Sequence, residues 1–257
     1  MKENISKLFT KFISVMSGNV ENDIELKFEH EHQVGFCHVP NNLDSIPLLK
    51  ASSRKFIAPV TVDLRDYCTK TEDQGNKPWC AAYTAAQWAE NILWRVNDYP
   101  ENIDPTWIYE YAKSVDGDPH GDGTTLVAVL EALLNKGTFD KSICKIKVIN
   151  RGENARQSVK YAIHKFGCIL GAFNITKEWY SLCNRDTAVT GKRNNVSMGG
   201  HAVLICGYNA DGVIIQNSWG ESWGEYGFGL VTWEAFDKQF LYASVLSNSL
   251  NGMTIND

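Results

Sequence analysis

Apolar residues first recur at helical spacing near the N-terminus, where Ile5, Leu8, Phe9, Phe12 and Ile13 would line one face of an amphipathic helix. The pattern then lapses. Residues 21–32 are polar, and residues 39–47 are punctuated by Pro40 and Pro47, which favours extended or irregular backbone. The texture changes at Ala58. Residues 60–67 read as a short extended segment with an Asp–Arg pair, and the polar loop 73–79 leads into residues 80–94, rich in helix formers. A second helix is signalled by Asp104 as N-cap, Pro105 at the first position, and Trp107, Ile108 and Tyr111 as an apolar face. A third runs from Thr124 to Lys136 and is closed by Gly137.

The second half alternates as strands do. Residues 144–149 are one candidate, residues 155–166 one more helix, and residues 168–173 a buried strand. Residues 201–208 and 213–217 flank Asn209-Ala210-Asp211-Gly212, an Asp-Gly turn between two apolar runs and hence a hairpin. Residues 228–233 and 241–246 complete a sheet. Helices early and strands late predict an α+β protein in two lobes, helical over about 75–140 and β-rich over about 141–247. Residues 1–57 stand apart as an N-terminal segment ahead of a domain at 58–257.

Composition narrows the function without naming it. With 257 residues, 44% hydrophobic and 21% charged, the chain can bury a sizeable core. A net charge of −5 gives no reason to expect nucleic acid or an anionic membrane as partner, and no apolar run reaches the ~20 residues of a membrane span. Lys7 and Lys11 interrupt any signal-peptide core. Seven cysteines, an odd number, leave at least one thiol unpaired in a monomer. Without a signal, the expectation is a reduced, cytoplasmic, monomeric protein. No metal or cofactor is expected: His30 and His32 lack companions at metal-site spacing, and Asp116, Asp118 and Asp122 lack the spacing of a calcium loop.

The candidate chemistry begins at Cys80, at the junction of loop and helix, where the helix dipole favours a thiolate. Taken alone, a cysteine is more often a small core residue. The hairpin changes that balance. His201 opens its first strand and Asn217 ends its second, so an antiparallel pairing brings them side by side, and an Asn beside a histidine fixes its ring orientation and tautomer. With Cys80 at the other ring nitrogen, the three supply nucleophile, base and orienting group.

Gly199-Gly200-His201-Ala202-Val203, Asn217-Ser218-Trp219-Gly220 and Ser222-Trp223-Gly224-Glu225-Tyr226-Gly227 resemble the C-terminal signature of papain-family cysteine peptidases. Val62-Asp63-Leu64-Arg65 and Asp73-Gln74-Gly75 resemble the start of the mature enzyme, in wording closest to bacterial members, and residues 79–84 are similar to staphopains. His201 and Asn217 follow Cys80 by 121 and 137 positions, near the about 130–150 of that family. The resemblance covers roughly residues 58–247. It implies a papain-like two-lobe fold, a helical lobe against a β-sheet or barrel lobe with the active site in the cleft between. It implies a Cys80–His201–Asn217 peptidase with a thioester intermediate, Gln74 as oxyanion donor and Trp219 shielding the His–Asn bond. Gly121 and Gly123 are matched to the strand that binds substrate backbone, and Gly200 to the edge beside the histidine. Residues 1–57 are then expected to act as a short propeptide that inhibits the enzyme until removed, or as a retained docking arm. Protein or peptide is the implied substrate.

The chain departs from the family in four places. Ala81 follows the nucleophile where an aromatic residue is usual, Trp79 precedes it, Lys77 stands in place of a disulfide cysteine, and Gly200 in place of Asp or Asn. Two other functions fit the same residues: another acyl transfer through the thioester, such as a specialised amidase or transferase, and a catalytically silent papain-like binding protein.

Overall fold

The structure, a computed structural model, describes residues 37–49, 56–118, 120–183 and 186–248. The chain divides into two compact units, Met1–Glu31 and His32–Asp257, and every described residue belongs to the second. The expected N-terminal helix and the His30/His32 pair lie outside the described residues.

A two-residue strand, β1 (Val62–Asp63), opens the body, and the expected ion pair joins Arg65 to Asp63 at 2.8 Å. The alanine-rich stretch then forms α1 (Cys80–Asn97), whose first fourteen residues are buried. Ala81, Ala82, Ala85, Ala86 and Ala89 present so little bulk that α1 packs closely against two further helices and the sheet. The N-cap of α2 (Pro105–Val115) is Asp104, which accepts from Thr106 N–H at 2.8 Å. Thr125 caps α3 (Leu126–Asn135), accepting from Ala128 N–H at 3.1 Å. The acidic turn between α2 and α3 is held by Lys113, whose ammonium donates to Asp116 and to Gly123 O, each at 2.9 Å.

The remaining elements are β2 (Lys145–Asn150), α4 (Ala155–Phe166), β3 (Ile169–Thr176), β4 (Ala188–Val189), β5 (Ser197–Tyr208), β6 (Gly212–Gln216), β7 (Phe228–Thr232), α5 (Trp233–Gln239) and β8 (Phe240–Ser247). The sheet order is β2-β8-β3-β5-β6-β7-β4, with β1 added alongside β5. Neighbours are antiparallel except β4 and β7. The β-rich lobe is therefore an open sheet, not a barrel: β2 and β4 end the order and form no ladder with each other. Strand alternation sorts its side chains into two cores. Leu170, Ala172, Ala202 and Leu204 join the cluster of α1, α2 and α3, whereas Ile169, Phe173, Val203 and Ile205 join α4 and α5.

The short helix α5 was not foreseen. Its signal is Thr232, which caps Ala235 N–H at 3.2 Å ahead of buried Trp233 and Phe236. Residues 37–49 have little regular structure, as their prolines suggested: one 3-10 turn, Leu43–Ser45, and a bridge of Leu48 to Val148.

Candidate active site

Cys80 is the first residue of α1 and is 1% exposed. The loop before it is fastened to the residues after β6 by two backbone bonds, Gln74 N–H to Ser218 O and Gly220 N–H to Glu72 O, each 2.9 Å. This brings the loop against the end of the hairpin.

His201 and Asn217 are both wholly buried, with His201 Nε2 2.8 Å from Asn217 Oδ1. The same oxygen accepts from Ser218 N–H at 2.8 Å, and Asn217 O accepts from Gln87 of α1 at 3.1 Å. An Asn held on both sides cannot swing away from the imidazole, so the orientation of the His201 ring is fixed through Nε2. Ser218 continues the chain of bonds, donating to Gln74 Oε1 at 2.6 Å. That fixes which end of the Gln74 carboxamide is the donor end; one of its two N–H groups goes to Lys77 O at 2.8 Å.

Trp219 lies against His201, ring centroids 4.7 Å apart and tilted by 34°, with Tyr180 stacked on its indole at 4.8 Å. Water is thereby kept from the imidazole side of the pair. Lys77, where a bridging cysteine was absent, places its ammonium 4.4 Å from the Trp79 ring, itself stacked on Tyr109 at 4.5 Å. A cation–π contact braces the loop, a weaker restraint than a disulfide. The seven cysteines are thiols, with no disulfide among the described residues.

Part of the N-terminal segment runs through the site. Cys37 N–H donates to Gly200 O at 3.1 Å, one residue from His201, and His38 N–H to Thr124 O at 3.3 Å. Tyr242 Oη accepts from Leu126 N–H at 2.9 Å and donates to His38 O at 3.0 Å. Residues 37 and 38 are thus bonded to the helical side through Thr124 and to the sheet through Gly200 and Tyr242. Gly200 is needed here: a Cβ on it would collide with the Cys37 carbonyl. Burial pushes the Cys80 thiol up to about 12, partly offset by hydrogen bonds from the backbone of Ala202, Ala81 and Cys80. Burial, then the neighbouring Cys80, raises Cys37 as well. For the buried Cys80, desolvation outweighs the helix dipole expected to favour a thiolate.

Of the residues singled out by sequence, Gln74, His201, Asn217 and Trp219 are joined in one network beside the N-terminus of the Cys80 helix, and Gly200 lines it. Gly121 packs on Asp118, and Gly123 O is taken by Lys113; the backbone acceptor that meets the segment is Thr124. Sequence reasoning missed Thr124, Tyr242, Ser218 and Gln87. The buried Gln87, Glu90 and Asn91, three polar residues on one face of an alanine-rich helix, were the legible sign of a polar partner. Among the described residues, no group of three or more His, Cys, Asp or Glu could hold a metal ion, and no helix is long and apolar enough to cross a membrane.

Residues 119–239 match the model of the papain family cysteine protease. No curated protein sequence matches the chain. Among solved structures, the fold is similar to xylellain, a cysteine protease from Xylella fastidiosa, with a TM-score of 0.65 and 18% identity over 84% of this chain and 97% of that one. Digestive procathepsin L 3 of Tenebrio molitor larval midgut gives 0.60 and 19% over 83% and 77%, respectively. ProCathepsin B S9 from Trypanosoma congolense gives 0.67 and 13% over 100% and 99%. Identities this low speak to fold, and two of the three are proenzymes by name. The fold is thus papain-like, and the part of the chain that holds His201 and Asn217 matches the papain family cysteine protease model.

Proposed function

We propose that the protein hydrolyses peptide bonds through a Cys80 thiolate, and that the described chain is its covered, inactive form. The observation that carries the reading is the buried His201–Asn217 bond of 2.8 Å, tied through Ser218 to Gln74 beside the Cys80 helix.

In the uncovered site, His201 takes the Cys80 proton through Nδ1 and the imidazolium–thiolate pair forms. The sulfur attacks the scissile carbonyl, and the resulting oxyanion is met by the Cys80 backbone N–H and the Gln74 carboxamide. Collapse expels the amine, which takes its proton from His201, and leaves a thioester. Water, deprotonated by the same imidazole, releases the acid. Asn217 holds the ring in register throughout, and Trp219 keeps solvent from their bond.

The backbone bonds of residues 37 and 38 to Gly200 and Thr124 support the view that the segment lies where substrate would lie. The proenzyme names among the structural relatives agree with it.

An epoxide thiol inhibitor that needs an activated cysteine, together with a fluorogenic peptide, tests both parts. A chain beginning at Ala58 is expected to label at Cys80 and to cleave, the full chain to do so slowly, and Cys80→Ser to do neither. Equal labelling of Cys80→Ser would sink the nucleophile assignment; equal activity of the two lengths would sink the inhibitory one.

A further inference from the structure

Three thiols outside this site meet at one point of the fold. Cys68 follows the 3-10 turn Arg65–Tyr67; its Sγ donates to Leu64 O at 3.6 Å and receives Asn91 Nδ2 at 3.7 Å. The Leu64 N–H in turn bonds Cys206 O at 2.9 Å, tying this turn to β5. Cys206 is the extra residue of a bulge in β5, between the pairs Ile205–Ile215 and Gly207–Ile214; bulges re-aim side chains. Ile169–Ile205 is the end pair of the β3–β5 ladder, and Cys168 precedes Ile169 as Cys206 follows Ile205, so both sit just beyond that end. Both are wholly buried in the core cluster on which Cys68, partly exposed, packs.

The surroundings favour charge on Cys68. The neighbouring Cys168, then Cys206, hold its thiol well below the usual range, while burial raises the other two; Cys206 Sγ also reaches Ile214 O at 3.6 Å. Arg95 approaches from α1: its Nη1 is buried with no hydrogen-bond partner among the described residues and lies against Gly167, next to Cys168. The guanidinium acts on Cys168 and lies 5.8 Å from the ring of Tyr67, the residue before Cys68; a partly exposed thiol beside other thiols, with a cation one residue away, is the setting of a reactive cysteine. Cys206 lies five residues beyond His201 on β5, about 16 Å at strand rise, so this is not the peptidase site.

We propose that Cys68 is a thiol-oxidation site for hydroperoxides, with the Cys168/Cys206 pair supplying the resolving thiol. The Cys68 thiolate attacks the terminal oxygen of the hydroperoxide; the O–O bond breaks, the leaving alkoxide or hydroxide takes up a proton, and Cys68 becomes a sulfenic acid. A thiol of the pair then attacks the Cys68 sulfur; the S–S bond forms, the S–O bond breaks and water departs. The disulfide fastens the turn twelve residues ahead of Cys80 to the strand system that carries His201.

Peptide mass mapping without reductant tests this on the full chain bearing Cys80→Ser, so that the nucleophile neither consumes oxidant nor cuts the chain. After hydrogen peroxide, a peptide pair linking Cys68 to Cys168 or Cys206 is expected, reversible by dithiothreitol and formed about tenfold faster than oxidation of the exposed Cys183. Arg95→Gln should slow Cys68 oxidation and leave Cys183 unchanged. Cys68 that is still alkylated when Cys183 is oxidised would overturn the proposal. So would a Cys168–Cys206 link with Cys68 reduced, or sulfinic acid at Cys68 without a cross-link. Mapping the intact cluster decides the matter without relying on a Cys68 variant that must fold.

Discussion

Ser218 illustrates how much of the site rests on orientation. Its hydroxyl donates to Gln74 Oε1 and its N–H to Asn217 Oδ1, so a single residue aims both the carboxamide proposed as oxyanion donor and the Asn that holds the histidine. Removing the donor itself, Gln74→Ala, is expected to cost on the order of 10²–10³ in kcat with KM little changed, measured on a fluorogenic peptide with the segment removed. Ser218→Ala should cost less, about 1 kcal/mol of transition-state stabilisation, because the carboxamide loses one of two restraints. Cys80, His201 and Asn217 could be singled out because a helix start and a hairpin are local signals that place residues at defined ends, whereas Gln74 entered only through the resemblance to the papain family. Ser218 was hidden by being one small polar residue inside a recognised motif. Tyr242 was hidden by sitting in an apolar run whose strand reading was correct and whose hydroxyl had no visible use.

At the level of elements, the second helix was read to the residue because Asp104 announced its cap, whereas the third was read from Thr124 and begins at Leu126, capped by Thr125. The sheet was harder. Its strands could be found from alternation, but its openness depends on which ends fail to meet, and no local pattern encodes that. The course of residues 37–49 was equally non-local, since its partners Thr124, Gly200 and Tyr242 lie 86 or more positions away (124−38). Tyr242→Phe removes the bond to His38 O and leaves Leu126 N–H without its acceptor. If each side chain–segment bond contributes about 1 kcal/mol, the uncovered fraction of the full chain rises roughly fivefold. The measurement is the initial rate of Cys80 labelling in full-length Tyr242→Phe against the parent; unchanged labelling would mean that Tyr242 does not hold the segment.

Across the whole molecule, one carboxyl gives stability a pH dependence that the sequence did not suggest. Burial raises Glu72 to about 7 from an ordinary 4.5, with Glu90 and Asp104 adding to the effect. The folded state then binds more protons than the unfolded one between these values. The stabilisation is full below about 4.5 and is lost as pH rises through about 7. Thermal melts across that range should show Tm falling with pH, and Glu72→Gln should flatten the fall. A slope that survives the substitution would assign it to other groups.

The proposed cover, residues 37–49, has a consequence for how activity would scale with concentration. On the proposed reading, residues 37–49 act as a tethered ligand while the chain is continuous from Leu49 to Phe56, and their occupancy is the same in a concentrated or a dilute solution. Once the chain is cut between those two residues, the same contacts belong to a two-body complex with its own Kd, and dilution alone empties the site. Intact protein is therefore expected to keep constant specific activity on dilution, whereas nicked protein gains it, and the midpoint of that gain reads out how tightly the cover binds.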